Sequence, residues 1–462
     1  MTTPYWVQDA IFYQIFPDRF ANGDPSNDPP NVQKWGSPPT SWGFQGGDLR
    51  GIVRHIDYLL DLGITAIYLN PIFQSSSTHR YDTYDYFKID PKLGTLEDFH
   101  SLLESAHRNN LRIILDGAFN HCGRGFFPFV DVLENGENSP YADWFYIKKY
   151  PLDAYSPGEA HNYLAWWNHK SLPKLNTGNP QVRKYLLDVA RYWVEQGADG
   201  WRLDVPNEID DDAFWEEFHQ VVKAANRDAY LLGEIWDLNP RWANDTHFDG
   251  LMNYPVREAL LALLQGRENA VQFAEHVEAV LKTYSRENLY AMYVPLDSHD
   301  TERFKTSVGG SSEKTKLAFL FQMAFPGAPA IYYGDEIGQE GGSDPDSRRA
   351  FPWQEADWDY DLHTWVKALI ALRKRIPALR RGDFVRLLAD DGLYACARVL
   401  GEDKVLVALN ASGRTRQLEV PCAALNWADG HSVQHLITHA KLTIKSGKLK
   451  FNLPPWSGSW FG

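Results

Sequence analysis

GWRLDV, residues 200–205, is a short apolar run that carries an arginine and an aspartate two positions apart. Because side chains alternate along a β-strand, a strand here places Arg202 and Asp204 on one face and Val205, with the other apolar side chains, on the opposite face. Many antiparallel sheets turn a charged face of this kind to water. The surrounding sequence decides whether this strand is solvated or buried on both sides.

Two longer segments share the order of amphipathic helix, glycine and apolar strand. In residues 49–70 the apolar side chains recur at helical spacing, and Gly63 separates the helix from the strand. In residues 179–205 Asn179 and Pro180 suit the start of a helix that leads into GWRLDV. This order is typical of α/β proteins with a parallel sheet.

Eight such apolar segments, mostly separated by helix-compatible sequence, occur along the chain. They are AIFYQIF at 10–16, ITAIYLN at 64–70, RIILDG at 112–117, GWRLDV at 200–205, YLLGEI at 230–235, GLMNY at 250–254, YVPLDSHD at 293–300 and PAIYYGDE at 329–336. Eight βα units predict a (β/α)8 TIM barrel. Barrel strands are covered on both faces, so we expect Arg202 and Asp204 at the carboxyl mouth, where the active site of such barrels lies.

Two regions depart from this pattern and predict further domains. About sixty residues rich in aromatic side chains, Asn, Gly and Pro follow the third strand, too many for an ordinary loop. We therefore expect a small domain inserted at residues 120–174, with the barrel formed by residues 1–119 and 175–377. In residues 378–462 the apolar pattern changes to period two, which predicts a C-terminal antiparallel β-sandwich domain.

Charge, hydropathy and cysteine content disfavour several classes of binding partner and site. The chain of 462 residues has a formal net charge of −14, which disfavours nucleic acid because phosphate binding needs clustered Lys and Arg. The sequence has no apolar run long enough to cross a bilayer and does not begin like a signal peptide, so we expect a cytoplasmic location and no membrane association. Three widely spaced cysteines argue against a disulfide framework or a structural zinc site.

Polar side chains follow the predicted strands where each strand ends. They are Asp116, Asn120 and His121 after the third strand, Arg202 and Asp204 on the fourth, Glu234 after the fifth, and His299 and Asp300 after the seventh. Asp204 and Glu234 lie one βα repeat apart, so neighbouring strands bring two carboxyl groups to one mouth. Retaining glycosidases use such a pair, one carboxylate as nucleophile and one protonated carboxyl as acid.

The two carboxyl groups have different expected surroundings. Arg202 favours the charged form of Asp204, whereas burial near other carboxylates raises the pKa of Glu234. The alternative is that these groups form structural ion pairs inside the barrel.

Four of these motifs together resemble the conserved regions of the α-amylase superfamily of glycoside hydrolases. They are DGAFNH, GWRLDV, GEIW and DSHD, in this order. The resemblance implies Asp204 as nucleophile, Glu234 as general acid/base and Asp300 as the third carboxylate, which holds the sugar hydroxyls and distorts the ring. It also implies substrate contacts by His79, Tyr81, His121, Arg202, His299, Asp344 and Arg348. Candidate platforms for sugar rings are Trp166, Trp167 and Trp236.

Within the superfamily the sequence is most similar to the cyclomaltodextrinase, neopullulanase and maltogenic amylase group. LPKLN, VPNE and the segment FVDVLENGENSPYADWF resemble markers of that group, with departures at Leu172 and Pro206. Val205 resembles members that also accept α-1,6 bonds. The implied substrates are cyclodextrins, maltooligosaccharides, starch and pullulan, with some transglycosylation. A glucanotransferase or α-glucosidase of the same superfamily is the near alternative.

That group carries an additional N-terminal β domain through which its dimers cover the active site. Here the first predicted strand begins near Ala10. We therefore expect an open cleft, tolerance of long glucans and a monomer. A tight dimer on size-exclusion chromatography that refuses soluble starch would contradict this expectation.

The segment RFANGDPSNDP offers the oxygen ligands Asn22, Asp24, Asn27 and Asp28 on a turn-forming loop. Such a set suits calcium, although the same residue types also simply form turns. The segment is similar to the calcium loop of the neopullulanase group. That resemblance implies a structural Ca2+, with Gly46 and Asp48 completing the ligands.

Two alternatives come from other classes of protein. A sugar-binding relative without catalysis would use the same barrel and is expected to lack one of the three carboxyl groups. A metal-dependent hydrolase would use four ligands, Asp116, His121, Glu234 and His299. Chelation separates that hydrolase from an enzyme with structural calcium, because only the former loses turnover while it stays folded.

Overall fold

The computed structural model describes residues 3–462 and is built around one sheet of eight parallel strands. The strands are β1 Phe12–Ile15, β2 Ala66–Leu69, β3 Arg112–Gly117, β4 Gly200–Leu203, β5 Tyr230–Gly233, β6 Gly250–Leu251, β7 Tyr293–Pro295 and β8 Ala328–Tyr332. Their hydrogen-bonded order is β6-β5-β4-β3-β2-β1-β8-β7. A parallel bridge between Met252 and Tyr293 joins β6 to β7 and closes the sheet. The predicted (β/α)8 barrel is confirmed.

Helices follow most of these strands and cover the outside of the barrel. The α-helices are Pro17–Phe20, Leu49–Arg54, Ile56–Leu62, Leu96–Arg108, Phe127–Asn135, Pro180–Glu195, Asp212–Ala225, Tyr254–Gln265, Ala270–Thr283, Arg286–Tyr290, Phe304–Ser307, Ser312–Gln322, Tyr360–Arg375 and Pro377–Arg381. The predicted start at Asn179 is correct, since its side chain accepts the amides of Gln181 and Val182. Within residues 3–462, every helix is too short or too polar for a transmembrane span.

Strand β4, in the segment GWRLDV, is buried on both faces. Trp201 packs in the core outside the barrel, and its indole nitrogen donates to the carbonyl of Ala190 on the preceding helix Pro180–Glu195. Arg202 points into the barrel and is fully buried. The strand ends at Leu203, however, and Val205 has a left-handed backbone with φ +37°. The prediction that Val205 continues the apolar face is therefore wrong, because the chain turns directly after Asp204.

Gly200 is required where β4 pairs with β5. A Cβ added at Gly200 would lie 2.1 Å from the carbonyl oxygen of Tyr230. We expect Gly200→Ala to lower the free energy of unfolding by about 1–3 kcal/mol, because overpacking displaces rigid backbone. Urea denaturation measures this change. Gly413→Ala is the matched control, since its nearest neighbour would be the Trp456 indole nitrogen at 3.9 Å, and equal losses in both variants would contradict the explanation.

Two long loops carry side chains over the barrel mouth. The loop after β2 forms an antiparallel pair of Phe73–Ser75 with Thr83–Ile89, which presents His79 and Tyr81. The segment after β3 contains the helix Phe127–Asn135 and short antiparallel bridges. One bridge pairs His121 with Lys174, so that the start and end of this segment meet beside β3.

The C-terminal part is an antiparallel β domain, as the sequence predicts. Its strands are β9 Asp383–Asp390, β10 Leu393–Leu400, β11 Asp403–Asn410, β12 Arg416–Pro421, β13 Ser432–Gln434, β14 Lys441–Thr443, β15 Lys448–Leu453 and β16 Ser457–Phe461. The order β9-β10-β11-β16 forms one sheet, and β12 with β15 and β13 with β14 form two pairs. The guanidinium of Arg398 on β10 is buried and donates to the carbonyl of Ala324 in the barrel and to that of Leu379 in the helix Pro377–Arg381.

Candidate active site

Backbone hydrogen bonds set the positions of the two central carboxyl groups. In the β3–β4 register Asp116 lies opposite Arg202. The amide of Asp204 donates to the carbonyl of Gly117 at 3.0 Å, and the amide of Glu234 donates to that of Leu203 at 3.1 Å. Both side chains therefore start one residue beyond the carboxyl end of adjacent strands, as predicted.

Arg202 holds three carboxyl groups together. Its Nη1 donates to Asp116 Oδ1 at 3.0 Å and to Asp204 Oδ1 at 2.9 Å. Its Nη2 forms an ion pair with Glu234 Oε1 at 2.8 Å. Since the guanidinium is fully buried, these carboxylates supply the compensation that a desolvated cation needs. Asp204 and Glu234 thus lie on the two terminal nitrogens of one guanidinium.

Glu234 is also held by the turn that follows Asp204. The backbone amide of Val205 donates to Glu234 Oε2 at 3.0 Å, which the left-handed conformation of Val205 makes possible. Burial raises the pKa of Glu234 above its usual range, while Arg202 and the Val205 amide oppose that rise. Raising the pKa keeps a glutamic acid protonated at higher pH, which suits a general acid.

The expected difference in pKa between Asp204 and Glu234 is only partly present. Arg202 does favour the charged form of Asp204, but burial and the neighbouring carboxylates of Glu234 and Asp116 together raise the pKa of Asp204 well above its usual range. Burial is the largest cause of this rise in pKa, and Arg202, which three carboxylates share, opposes it without cancelling it. The site has four acidic side chains and few positive charges to stabilise their ionised forms. The four are Asp116, Asp204, Glu234 and Asp300.

Asp300 approaches the site from the β7 side through His299. The Nε2 of His299 lies 3.1 Å from Asp300 Oδ2 and 2.6 Å from the hydroxyl of Tyr81. Gln14 Nε2 lies 2.9 Å from His299 Nδ1; because an amide nitrogen only donates, Nδ1 accepts and Nε2 carries the proton. Burial lowers the pKa of His299 well below its usual range, so this imidazole is neutral. It can donate to a sugar hydroxyl or to Asp300.

The sequence did not predict the hydrogen-bond network around Tyr81 and Asp116. Tyr81 donates to Asp116 Oδ2 at 2.7 Å, and Tyr68 donates to the same oxygen. Asn70 Nδ2 donates to the Tyr81 hydroxyl at 3.1 Å, and Asn70 Oδ1 accepts from Gln14 at 2.9 Å. Gln14, Tyr68 and Asn70 belong to the ends of β1 and β2, and only their inward parity in the strands could have indicated them.

The remaining predicted contacts line the same mouth. Arg348 pairs with Asp344 at 3.1 Å and with Asp300 at 3.4 Å, and it donates to the carbonyl of His299 at 2.9 Å. The ring of His79 stacks with that of Tyr81 at 5.9 Å. His121 is buried, and its Nε2 has no hydrogen-bond partner among residues 3–462. Burial lowers the pKa of His121 to about 3, so the imidazole is neutral at working pH.

Aromatic rings lie on both flanks of the acid pair. Trp236, after β5, is 47% exposed and stacks on Tyr254, after β6, at 3.8 Å. Trp166 stacks on His121, which follows β3, at 5.5 Å. Flat, half-exposed rings beside carboxyl groups suit a polar ring-shaped substrate with apolar faces. The arrangement can therefore hold a sugar chain across two acidic side chains.

The predicted calcium loop has a tight polar core. Asn22 Nδ2 donates to Asp28 Oδ1 at 2.9 Å, and a Cβ on Gly46 would lie 2.3 Å from that same oxygen. In the part of the chain that the structure describes, the side-chain oxygens of Asn22 and Asn27 are buried without a hydrogen-bond partner. These free oxygens, with the Asp28 carboxylate and the adjoining Gly46 backbone, are the hard ligands that calcium prefers. The donor set thus fits such an ion.

The other two predicted ligands have partners within the chain. The Asp48 carboxylate accepts the amides of Gly51 at 2.6 Å and of Asp24 at 2.7 Å. The Asp24 carboxylate accepts from Ser26 and pairs with Arg50. Within residues 3–462 there is no group of three or more His, Cys, Asp and Glu side chains arranged for a metal. Asp116, a ligand in the metal-hydrolase alternative, is occupied by Arg202 and two tyrosines.

Comparison with known proteins identifies the family. Residues 14–367 match the model of the α-amylase catalytic domain, and residues 384–460 match the neopullulanase-like C-terminal domain. The chain belongs to the α-amylase family. This confirms the resemblance inferred from the four motifs, and the chain is a glycoside hydrolase of that family. The β domain that follows the barrel is the neopullulanase-like module.

Relatives of this α-amylase family member carry related names. The chain is 45% identical to a cyclomaltodextrinase of Geobacillus thermopakistaniensis, over 98% of this chain and 76% of that protein. It is 45% identical to neopullulanase 2 of Thermoactinomyces vulgaris, over 99% and 78%. The solved cyclic α-maltosyl-(1→6)-maltose hydrolase of Arthrobacter globiformis superposes with a TM-score of 0.92 at 38% identity, and all of both chains is covered.

Proposed function

We propose that this α-amylase family member is a retaining hydrolase of α-1,4-glucosidic bonds in cyclodextrins, maltooligosaccharides, starch and pullulan, with some transfer to sugar acceptors. The supporting observation is the pair of Asp204 and Glu234, which lie on adjacent strands and share the guanidinium of Arg202. Asp300, which follows β7, lies near enough to both carboxyl groups to raise their pKa values. Two close carboxyl groups and an oxocarbenium-like transition state are the requirements of retaining glycoside hydrolysis.

In the first step the carboxylate of Asp204 attacks the anomeric carbon of the glucosyl unit. The bond from that carbon to the glycosidic oxygen breaks, and Glu234 donates its proton to the departing oxygen. The product is a glucosyl ester on Asp204. Asp300 and the neutral His299 bind the hydroxyls of the same sugar, and Asp300 stabilises positive charge as it develops on the ring.

In the second step Glu234, now a carboxylate, removes a proton from an incoming water. The water oxygen bonds to the anomeric carbon, and the ester bond to Asp204 breaks with return of its electron pair to the carboxylate. A sugar hydroxyl in place of water gives transfer instead of hydrolysis. The product ratio therefore depends on whether water or a sugar hydroxyl reaches the glucosyl ester first.

A second candidate substrate contains α-1,6 bonds. One relative that matches this chain end to end hydrolyses cyclic α-maltosyl-(1→6)-maltose, according to its name, whereas the cyclomaltodextrinase is matched over 76% of its length. Val205, directly after the proposed nucleophile, also resembles members that accept α-1,6 bonds. We propose that such mixed-linkage cyclic glucans are substrates as well.

The test is product analysis by chromatography on β-cyclodextrin, soluble starch, pullulan and cyclic α-maltosyl-(1→6)-maltose in parallel, with Asp204→Asn as the control. Opening of the cyclic substrates into linear oligosaccharides supports the proposal. Glucose released only from chain ends, with cyclic substrates untouched, indicates an α-glucosidase. Redistribution of chain lengths without a rise in reducing ends indicates a glucanotransferase, and no product from any substrate indicates a sugar-binding protein.

We also propose that the loop of Asn22, Asn27, Asp28 and Gly46 holds a structural calcium ion. If it does, calcium at a hundred times its Kd stabilises the fold by about 3 kcal/mol. EGTA is therefore expected to lower the Tm, while turnover well below the Tm persists. Asp28→Ala should abolish this calcium response. The control is Glu402→Gln, at a side chain that is 99% exposed. If neither calcium nor EGTA changed the Tm of the unsubstituted protein, the assignment would be contradicted.

A cytoplasmic location is proposed from the state of the cysteines. Cys122, Cys396 and Cys422 are all buried free thiols. Free thiols persist in reducing compartments. Burial also raises the pKa of the Cys122 and Cys396 thiols, which keeps them protonated and unreactive.

A further inference from the structure

Two carboxyl groups lie buried together at the start of the loop that carries His299 and Asp300. Asp297 follows β7 and Asp335 follows β8, and only 1% and 6% of these residues are exposed. Because β7 and β8 are neighbouring parallel strands, both side chains lie at the same edge of the barrel. The two carboxyl groups are in hydrogen-bonding contact.

A buried guanidinium faces this pair of acids. Arg303 is fully buried, and its Nη1 donates to Asp335 Oδ1 at 2.9 Å and to the carbonyl of Tyr333 at 2.6 Å. Within residues 3–462, Asp335 forms an ion pair with Arg303 alone, and Asp297 forms none. If both acids were ionised, one buried charge would lack a counter-ion, which costs much free energy. Two acids beside one cation therefore favour a neutral form of one acid.

The hydrogen bonds of Asp297 also indicate a proton between the two acids. Its Oδ2 accepts the amide of Phe304 at 2.5 Å. Its Oδ1 is buried and has no hydrogen-bond partner in the described part of the chain. Two carboxylates offer only acceptors to each other, whereas one protonated carboxyl group donates to the other. A single shared proton thus supplies the partner that Asp297 Oδ1 lacks.

The surroundings of Asp335 favour its protonated form. Burial and the negative charge of Asp297 raise the pKa of Asp335 well above its usual range, and Arg303 opposes this rise without cancelling it. When two interacting acids share a proton, the pair loses it as a unit. The pair therefore keeps one proton at a pH where an exposed aspartate is ionised.

Other titratable side chains surround the pair without supplying this proton. They are Tyr293, Tyr332, Tyr333, Lys305 and Glu336. Burial raises the pKa of each of the three tyrosines above its usual range, so the three hydroxyls are neutral at working pH. Lys305 pairs with Asp359 at 3.4 Å, and Glu336 accepts from the hydroxyl of Tyr13 at 2.8 Å.

The acid pair lies at the base of the loop that runs from Asp297 to Phe304. The bond from the Phe304 amide to Asp297 Oδ2 closes this loop. His299 and Asp300 lie within it. Two negative charges in contact at its base would repel each other. Loss of the shared proton would therefore move the loop away from β8.

Arg303 connects the same loop to the segment that carries Arg348. Its Nε donates to the carbonyl of Ser347 at 2.9 Å. The next residue, Arg348, donates to the carbonyl of His299 at 2.9 Å and pairs with Asp300 at 3.4 Å. The groups that bind Asp335 thus also fix the position of Asp300.

We propose that Asp297 and Asp335 share one proton, and that this buried acid pair positions His299 and Asp300 for catalysis. The inference rests on the proposed function, because it concerns how the third carboxylate of that site is held. Both acids are buried, so they are positioning residues that act through the loop and not by contact with the glucan.

The first test measures the Tm between pH 5 and pH 7 for the unsubstituted protein and Asp335→Asn. The asparagine amide donates to Asp297 at every pH and so imitates the protonated acid. A carboxyl group whose pKa is raised on folding stabilises the fold at low pH, and this stabilisation is lost as pH rises towards the raised value. We therefore expect the Tm of the unsubstituted protein to fall relative to Asp335→Asn by about 1–2 °C per pH unit.

The control for this comparison is Asp210→Asn, at a side chain that is 78% exposed. It makes the same chemical change on the surface, so its Tm should change with pH as that of the unsubstituted protein does. If the Tm of Asp335→Asn also changes with pH in this way, the shared proton is overturned.

The second test asks whether the pair acts through Asp300. Asp335→Ala leaves Asp297 and Arg303 without their partner, and we expect it to lower kcat on β-cyclodextrin about tenfold, with a smaller change in KM. Asp335→Asn should recover most of this loss. In an Asp300→Asn background, adding Asp335→Ala should lower kcat by less than about twofold, because the group that it positions is already disabled.

The outcomes separate this inference from the proposed function. If the unsubstituted protein cleaves no glucan, the proposed function fails, while the Tm comparison still decides the shared proton. A full tenfold loss in the Asp300→Asn background would overturn the positioning role. If Asp335→Ala does not fold, Arg303→Lys takes its place in the same cycle, since one ammonium cannot replace the three bonds of the guanidinium.

Discussion

Asp204→Asn is expected to lower kcat/KM on β-cyclodextrin by about 10⁴-fold, because an amide cannot form the glucosyl ester that divides the reaction into two steps. The side chain keeps its size, and its oxygen can still accept from Arg202 Nη1, which lies 2.9 Å from Asp204 Oδ1. The fold should therefore persist. Initial rates of reducing-end formation measure the change.

The control for this variant is Asp210→Asn, at a side chain that is 78% exposed and pairs with Arg241. It makes the same chemical change outside the barrel mouth and should leave kcat/KM unaltered. Circular dichroism and the Tm establish that both variants are folded. Turnover of Asp204→Asn within tenfold of the unsubstituted protein would reject Asp204 as the nucleophile.

Glu234→Gln is expected to lower kcat about 10²–10⁴-fold on glucans, because no other group donates a proton to the departing oxygen. The loss should be much smaller on α-maltosyl fluoride, since fluoride departs without protonation. Comparing the two substrates separates acid catalysis from general damage to the site. An equal loss on both would contradict the acid role.

The same variant tests the origin of the pH dependence. Burial raises the pKa of Glu234 above 4.5, so the acid form persists above that pH and is lost as pH rises through the raised value. The alkaline limb of kcat/KM should therefore lie above pH 4.5, and it should disappear in Glu234→Gln. Because Asp204 and Asp300 titrate in contact with it, the observed limb belongs to the group of carboxyls. An alkaline limb that survives in Glu234→Gln would assign it to another residue.

The periodicity of apolar residues and the order of predicted helices and strands were enough to predict the barrel and the carboxyl groups at its strand ends. The alternation in GWRLDV places Arg202 inside, and the thirty-residue spacing places Asp204 and Glu234 on neighbouring strands. These are local patterns that recur with each βα unit. Their consequence in space follows from barrel geometry alone.

The parts that could not be predicted depend on contacts between distant segments. Gln14 reaches His299 across 285 positions, and Tyr81 reaches Asp116 across 35. The turn at Val205 accompanies the bond from its amide to Glu234, a residue 29 positions away, and the apolar pattern does not indicate it. The periodicity of the sequence does not predict which of several carboxylates pair with Arg202.

The joint between the barrel and the β domain has a consequence for how the molecule comes apart. The guanidinium of Arg398 on β10 donates to the main-chain oxygen of Ala324 in the barrel, and within residues 3–462 no acidic side chain forms an ion pair with it. Pulling the two modules apart would expose apolar surface and leave the Ala324 oxygen without its donor in the same event. Heating should accordingly melt both modules in a single cooperative transition. A chain that lacks the β domain, its last eighty or so residues, would have a less stable barrel.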